Sequence, residues 1–457
     1  MGLGWHIEKT GEYKINLPIL SDDEIEAIKH MANMFKEVTK YKELDNPDKA
    51  KKELKNLLIK FCDKEGIVID KEQENYLTQM AFYNIYGFAG MEEILKDEEI
   101  EEIGIIGLGK PVYVFVRKQG WKKTNLYYDE LDFTINLINK MSRSIGRRIT
   151  YKNPRLNAVL PDGSRMHASI PPISNVEVTI RKFKENPMTV FDLLNYHTIS
   201  EEAMALLWFL MQADISILIT GNTASGKTTT MNSIFSFVPL NERILITEET
   251  PEINIPHKHV VKLVANQELD ISLSPLVADS LRMRPDRVIV GEVRNTEEVH
   301  ALMDTILSGQ ARGSYATFHA QSSKETLSRL RSLGVLEIDL PSIDIIVIQR
   351  RMMKYNVKTR KSEEIRRIVE IVEVDKNNPG KTTPLFIYDY EKDSWKADYQ
   401  NSEILKRLSL SLGVPQKEME NEIKTRTEFL KKNIKKKWNF ETAVNEIQKF
   451  AYGLSLD

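Results

Sequence analysis

Apolar side chains recur at helical spacing through the first ~90 residues. Ser21-Asp22-Asp23-Glu24 has the form of a capping box, and Ile25, Ile28, Ala32, Phe35 and Val38 follow it on one face. Pro47 suits the first turn of a second helix carrying Leu54, Leu57, Leu58 and Phe61, which Gly66 can stop. A third helix is predicted over Lys71–Tyr86. From about residue 91 the pattern turns mixed. Val112–Val116 and Val176–Ile180 read as strands, Leu131–Ile145 as a helix, and Asp162-Gly163 as the turn of a hairpin joining 157–160 to 165–170. From about residue 190 helix and strand alternate. Helix Glu201–Gln212 precedes strands at 215–220, 244–247, 260–264, 287–290, 314–318 and 343–348. That alternation predicts an α/β fold with a mostly parallel sheet covered by helices, its function at the carboxyl ends of the strands. The last ~55 residues return to helix, at 402–412 and 417–437.

These changes of pattern divide the chain into a helical segment at 1–90, an α+β module at 91–183, a linker at 184–190, an α/β domain at 191–400 and a helical region at 401–457. The length of 457 residues suits two or three domains. A net charge of −2 argues against a surface built throughout for nucleic acid. The single cysteine, Cys62, excludes an intrachain disulfide and a cysteine-rich zinc module. No apolar run reaches the ~20 residues needed to span a bilayer. The first residues lack the layout of a signal peptide. The expectation is a cytoplasmic protein, with any membrane contact peripheral at the inner face.

The chemistry concentrates at the ends of the predicted strands. Gly221-Asn222-Thr223-Ala224-Ser225-Gly226-Lys227-Thr228-Thr229 is a complete G-x-x-x-x-G-K-[ST] loop between a strand and a helix. Such a loop surrounds a phosphate chain with backbone N–H groups and the positive end of a helix. Lys227 can reach the terminal phosphates, and Thr228 can ligate Mg²⁺. A structural glycine turn is the plain alternative, and it leaves the Lys-Thr pair unexplained.

Three further clusters end strands. In Thr247-Glu248-Glu249-Thr250-Pro251-Glu252 three carboxylates stand close enough to repel one another unless a cation lies among them. A solvated acidic loop is the alternative. Glu292, in Pro285–Arg294, ends a buried-type strand, where a carboxylate can orient the attacking water or act through Mg²⁺-bound water. Arg294 can contact phosphate or simply pair with Glu292. The residue before Glu292 is Gly291, so the Mg²⁺-ligating acid found there in many phosphate-loop enzymes is missing. His319, in Thr317-Phe318-His319-Ala320, can hydrogen-bond near a γ-phosphate, although a lone histidine is more often a satisfied core residue.

Taken in this order, the clusters resemble the secretion and type IV filament ATPases, a family with an "Asp box" and a "His box" at the second and fourth places. The match is most specific in 221–229, 243–252, 281–294 and 309–320, and Pro154–Arg165 and Val178–Phe183 are similar to the family's N-terminal module. Glu252-Ile253-Asn254-Ile255-Pro256-His257 and the helical tail are similar to the archaeal branch. Two positions depart from the pattern: Ala224 where glycine is usual, and Glu249 where aspartate is usual.

The resemblance implies a RecA-like domain after a smaller, PAS-like α+β module, and a homohexamer holding Mg²⁺ and ATP between modules. It implies catalytic roles for Glu292, Glu248, Glu249, His319 and Arg294. It makes Arg165, Arg181 and Arg282 candidate arginine fingers, with Arg284 beside them; a plain ion pair is the alternative for each. It implies ATP hydrolysis driving assembly of a pilus-like or archaellum-like filament, or secretion, through a polytopic membrane platform protein. Conjugative DNA transfer, filament retraction and a non-hydrolysing nucleotide-dependent scaffold are the alternatives. Lys431-Lys432-Asn433-Ile434-Lys435-Lys436-Lys437-Trp438 is a candidate docking surface for anionic lipid headgroups, or else a solvated face.

Overall fold

The computed structural model describes residues 5–7, 11–15, 21–39, 46–88, 90–117, 119–183, 187–266, 269–356, 360–400 and 402–453. Of the expected linker, residues 184–186 fall outside that set. The chain forms two compact units, Met1–Lys184 and Glu185–Asp457.

The first unit contains strands β1 (Trp5–Ile7) and β2 (Tyr13–Ile15), then helices α1 (Asp22–Thr39), α2 (Pro47–Glu65), α3 (Lys71–Tyr86) and α4 (Met91–Lys96). Strands β3 (Ile100–Ile105), β4 (Pro111–Val116) and β5 (Gly120–Tyr127), helix α5 (Leu131–Ser142), and strands β6 (Arg155–Val159), β7 (Arg165–Ser169) and β8 (Glu177–Arg181) complete it. The expected caps are in place. Ser21 and Glu24 exchange hydrogen bonds at 2.8 and 3.3 Å, and Gly66 closes α2 with φ 66°. Helices α1–α3 share a core around Met31, Phe35, Leu54, Leu58 and Ala81.

The sheet of this unit runs β1-β2-β5-β4-β3-β8-β7-β6. Strands β1 and β2 were not expected in a stretch read as helical. Each has three residues, too short for an alternation to register. They are held from outside: Tyr13 donates its hydroxyl to Asp97 at 2.8 Å, and Asn125 brackets the backbone of Ile15 at 2.8 and 2.9 Å.

The second unit opens with α6 (Val190–Asn195), α7 (Glu201–Met211), β9 (Ile217–Gly221), α8 (Lys227–Ile234), β10 (Ile244–Glu248) and β11 (Val260–Val264). Next come α9 (Leu273–Ser280), β12 (Arg287–Val293), α10 (Thr296–Leu307), β13 (Gly313–Phe318) and α11 (Ser323–Ser332). It closes with β14 (Ile345–Asn356), β15 (Lys361–Val374), β16 (Thr382–Asp389), β17 (Ser394–Ala397), α12 (Glu403–Leu412), α13 (Gln416–Asn433) and α14 (Phe440–Tyr452).

Its sheet runs β11-β10-β12-β13-β9-β14-β15-β16-β17. The strands from β11 to β14 in that order are mutually parallel, and β9 lies between β13 and β14. This is the RecA-like order, and it brings the carboxyl ends of β9, β10, β12 and β13 to one edge. The far side is an antiparallel meander of β14 to β17. Strands β15–β17 were not expected: residues 361–367, the first half of β15, are highly charged, and only its second half, 368–374, is largely apolar and buried.

Helices α12–α14 are not a detached tail. Ile404, Leu405, Met419, Ile423, Leu430 and Ile447 belong to the same core as β9 and α7, and Gln448 donates to the carbonyls of Ser236 and Val238 at 2.7 and 3.0 Å. At the amino end of β12, away from the functional edge, Arg287 is fully buried and pairs with Glu242 at 2.6 Å. A buried charge of that kind needs such a partner.

Candidate nucleotide site at the carboxyl edge of the parallel sheet

The phosphate loop leaves β9 at Gly221 and enters α8 at Lys227. Gly221 is a steric necessity, since a Cβ there would collide with the backbone carbonyl of Gln349 on the neighbouring strand. Helix α8 has no side-chain cap at its N-terminus. Its first-turn amides are therefore an anion site by default. Ser225 adds a buried hydroxyl with no hydrogen-bond partner among the described residues. Ala224 holds φ at 60°, the left-handed region that disfavours a residue with a Cβ. The loop closes with alanine in place, as expected, but at a conformational cost. Ala224→Gly should raise stability by about 0.5–1 kcal/mol, because the alanine side chain is exposed and loses nothing by removal. Urea unfolding of the two proteins measures this, and an unchanged or lower midpoint would refute it.

Lys227 is buried, with Nζ 3.2 Å from the Gly221 carbonyl and 4.0 Å from Glu292 Oε1. Burial pulls its pKa below the usual lysine range, against the opposing attraction of Glu292 and Glu252.

Glu292 reaches this point because the register of β12 against β13 shifts between Val290 and Val293. An irregularity of that kind re-aims a side chain at a sheet edge. Its Oε1 lies 2.6 Å from His319 Nε2, and its Oε2 accepts from Arg294 Nε at 2.7 Å and from Arg294 Nη2. Burial raises the Glu292 pKa, but Arg294, His319 and Lys227 together outweigh it and hold the group below the ordinary carboxylate range. His319 follows the end of β13, and burial with the nearby Lys227 charge lowers its pKa despite Glu292. Neutral His319 facing an ionised carboxylate must carry its proton on Nε2. Arg294 also contacts Glu249, so this exposed pair links the acidic loop to the end of β12.

The acidic loop corrects one expectation. Glu248 does not project into the site as a free carboxylate. It is 2 % exposed, and its Oε1 accepts the backbone N–H groups of Glu252 and Ile253 at 2.7 and 2.8 Å. Burial raises its pKa. The carboxylate that meets the phosphate loop is Glu252, whose Oε2 accepts the Thr228 hydroxyl at 2.9 Å. Glu248 shapes the loop that presents Glu252. The sequence signal for Glu252 was its place in the cluster, but nothing local ranked it above Glu248 and Glu249. Gly291 is explained here as well. A Cβ on it would stand 2.9 Å from Glu248 Cγ, so the residue before Glu292 is small to let Glu248 pass.

The arginine candidates have partners of their own. Arg282 is exposed and pairs with Asp279 at 3.0 Å, and Arg284 is exposed with φ 52°. Arg165 and Arg181 belong to the first unit, where they stand directly opposite each other on β7 and β8. Like charges in that position repel unless an anion or carboxylate joins them.

A family model described as "Type II/IV secretion system protein" matches residues 129–400, more than half of the sequence. The chain belongs to that family. An uncharacterized protein of Methanocaldococcus jannaschii is 38 % identical over 250 residues, 51 % of this chain and 34 % of its own length. A second uncharacterized protein of that organism is 29 % identical over 328 residues, 70 % of this chain and 57 % of its own. The chain thus spans between about a third and somewhat over half the length of these two relatives. The type IV secretion system protein VirB11 of Bartonella quintana is 29 % identical over 315 residues, 56 % of this chain and 86 % of its own. The match to the type II/IV secretion family takes in the phosphate loop, the acidic loop, Glu292 and His319.

Proposed function

We propose that this type II/IV secretion family member is a Mg²⁺-dependent ATPase motor, working as a homohexamer to power a pilus-like or archaellum-like filament, or secretion, through a membrane platform protein. The observation that carries the reading is the convergence of Lys227, Glu292 and His319, with Glu292 Oε1 within 2.6 Å of the imidazole and 4.0 Å of the ammonium. It supplies a phosphate cradle, an ionised carboxylate to orient water, and a neutral imidazole to hold that carboxylate. The Thr228 hydroxyl and Glu252 carboxylate, 2.9 Å apart, are the hard oxygen donors that suit Mg²⁺. Mg²⁺ bound there would neutralise charge on the β- and γ-phosphates.

In this mechanism the loop amides and Lys227 hold the triphosphate, and Glu292 aligns the attacking water. Arg294 keeps Glu292 ionised and pointed inward. Arg165 and Arg181, in a neighbouring subunit, would add the positive charge that a phosphoryl transition state needs. The exposed lysines 431, 432 and 435–437 are the surface for anionic headgroups; Trp438 is packed edge-on against Phe191 and is not free to insert.

Hydrolysis by the purified chain tests the reading. ATP turnover is expected with Mg²⁺, abolished by EDTA, and stimulated by anionic vesicles rather than by single-stranded DNA. Stimulation by DNA alone would favour a conjugative motor, and nucleotide binding without turnover would favour a scaffold.

A further inference from the structure

The phosphate loop is fastened at three points to one short piece of β14, Gln349 to Arg351. The first is the close approach of Gly221 to the Gln349 carbonyl. The second is Asn222, whose Nδ2 donates to the Arg351 carbonyl at 3.0 Å and whose Oδ1 accepts the Arg351 N–H at 2.9 Å. The backbone ladder of β9 and β14 ends at the pair Gly221 and Gln349. Asn222 therefore carries the pairing one rung further with a side-chain amide, after the backbone has turned away into the loop. The third is the Gln349 side chain, which is 1 % exposed. Its Oε1 accepts the Thr230 hydroxyl at 2.7 Å, and its Nε2 stands 3.0 Å from where a Cβ on Gly226 would lie.

Gly226 has φ at 99°, a conformation that glycine leaves easily. Lys227 and Thr228 follow it directly, so their direction depends on how firmly that turn is held.

We propose that Gln349 is a positioning residue for nucleotide binding, its side chain packed against Gly226 and bonded to the Thr230 hydroxyl so that the turn into α8 is fixed before the phosphates arrive. The benefit is preorganisation: ordering that the free protein has already undergone is not charged against binding. A buried glutamine would otherwise be a poor choice beneath a glycine, since an apolar residue fills such space without needing a partner. The inference rests on the loop being the ATP site.

The test is a fluorescent-nucleotide titration and steady-state hydrolysis by the full chain, wild type against Gln349→Met and Thr230→Val. These variants remove the same hydrogen bond from its two ends with little change of volume. Each is expected to weaken nucleotide affinity and raise KM about five- to tenfold, with kcat within about twofold. The double variant should be no worse than either single one, because the two changes delete one interaction. Asn222→Ala, at a position that cannot unfold the core, should shift Kd in the same direction. Variants that keep the wild-type Kd and KM, whatever their melting temperature, overturn the proposal. A wild-type chain that binds no nucleotide overturns the functional reading instead, and the inference falls with it.

Discussion

Glu292→Gln is expected to leave nucleotide bound and hydrolysis lost, with kcat down about a hundred- to a thousandfold. The substitution keeps the shape of the side chain and removes its charge. Three cations or donors converge on that charge: Arg294, His319 and Lys227. They hold the carboxylate below its ordinary range and so keep it ionised beside the phosphate site. Affinity should be unchanged or somewhat tighter, because the carboxylate 4.0 Å from Lys227 competes with phosphate for the ammonium. Its removal releases Lys227 to the nucleotide. The measurement is paired: a filter or fluorescence Kd beside a single-turnover rate. A variant that hydrolyses ATP at more than about a tenth of the wild-type rate would remove Glu292 from the reacting atoms. The acid limb of the wild-type pH–rate profile gives a second check. With Glu292 held low, that limb should lie below the range in which a free glutamate titrates, and activity should be lost only as pH falls through the depressed value.

The contrast between Glu292 and Glu248 shows where sequence reasoning stops. Both carboxylates close a buried strand, and both sit in family motifs, so the chain gives no local reason to separate them. The separation comes from neighbours far away in sequence. Glu292 is displaced from its strand register toward Lys227, while Glu248 is captured by the two backbone amides of the turn after it. Gly291 had looked like a missing acid, yet it proves to be the clearance that Glu248 needs. The phosphate loop was legible because its chemistry is consecutive: strand, glycines, Lys227, Thr228 and helix all fall within one short stretch. The parallel strands were legible for a similar reason, since continuous apolar runs such as Ile217–Ile219 mark strands buried on both faces. Gln349 and Arg351 were not, because their bearing on the loop exists only through the pairing of β14 with β9, across some 120 residues of intervening chain. The β15–β17 meander was hidden by its charged outer half, where Arg351 pairs with Glu364 at 2.6 Å and Lys354 with Asp393 at 2.6 Å, although Ile368, Ile371, Val372, Leu385 and Phe386 are buried in the core.

Lys227→Ala should cost about a hundredfold in nucleotide affinity, the loss of a charge-assisted contact of up to about 3 kcal/mol in a buried site. The unliganded protein predicts a second, independent consequence. Lys227 helps to hold the His319 pKa down, and it helps to hold that of Glu292 down as well. Without the ammonium both pKa values must rise. For His319 the sign is clear: burial still opposes protonation, but the remaining Glu292 charge at 2.6 Å now acts with one fewer cation against it. Histidine proton NMR across the titration should therefore show His319 moving toward or past its ordinary value in Lys227→Ala. Weakened binding with an unmoved His319 would mean that Lys227 points away from the carboxylate in solution, and that the cluster of Lys227, Glu292 and His319 does not form a single electrostatic unit. Weakened binding together with a raised His319 would tie the phosphate loop to the ends of β12 and β13 before any nucleotide is present. Such a connection would let loss of the γ-phosphate be felt at His319, and so at the strand that carries it.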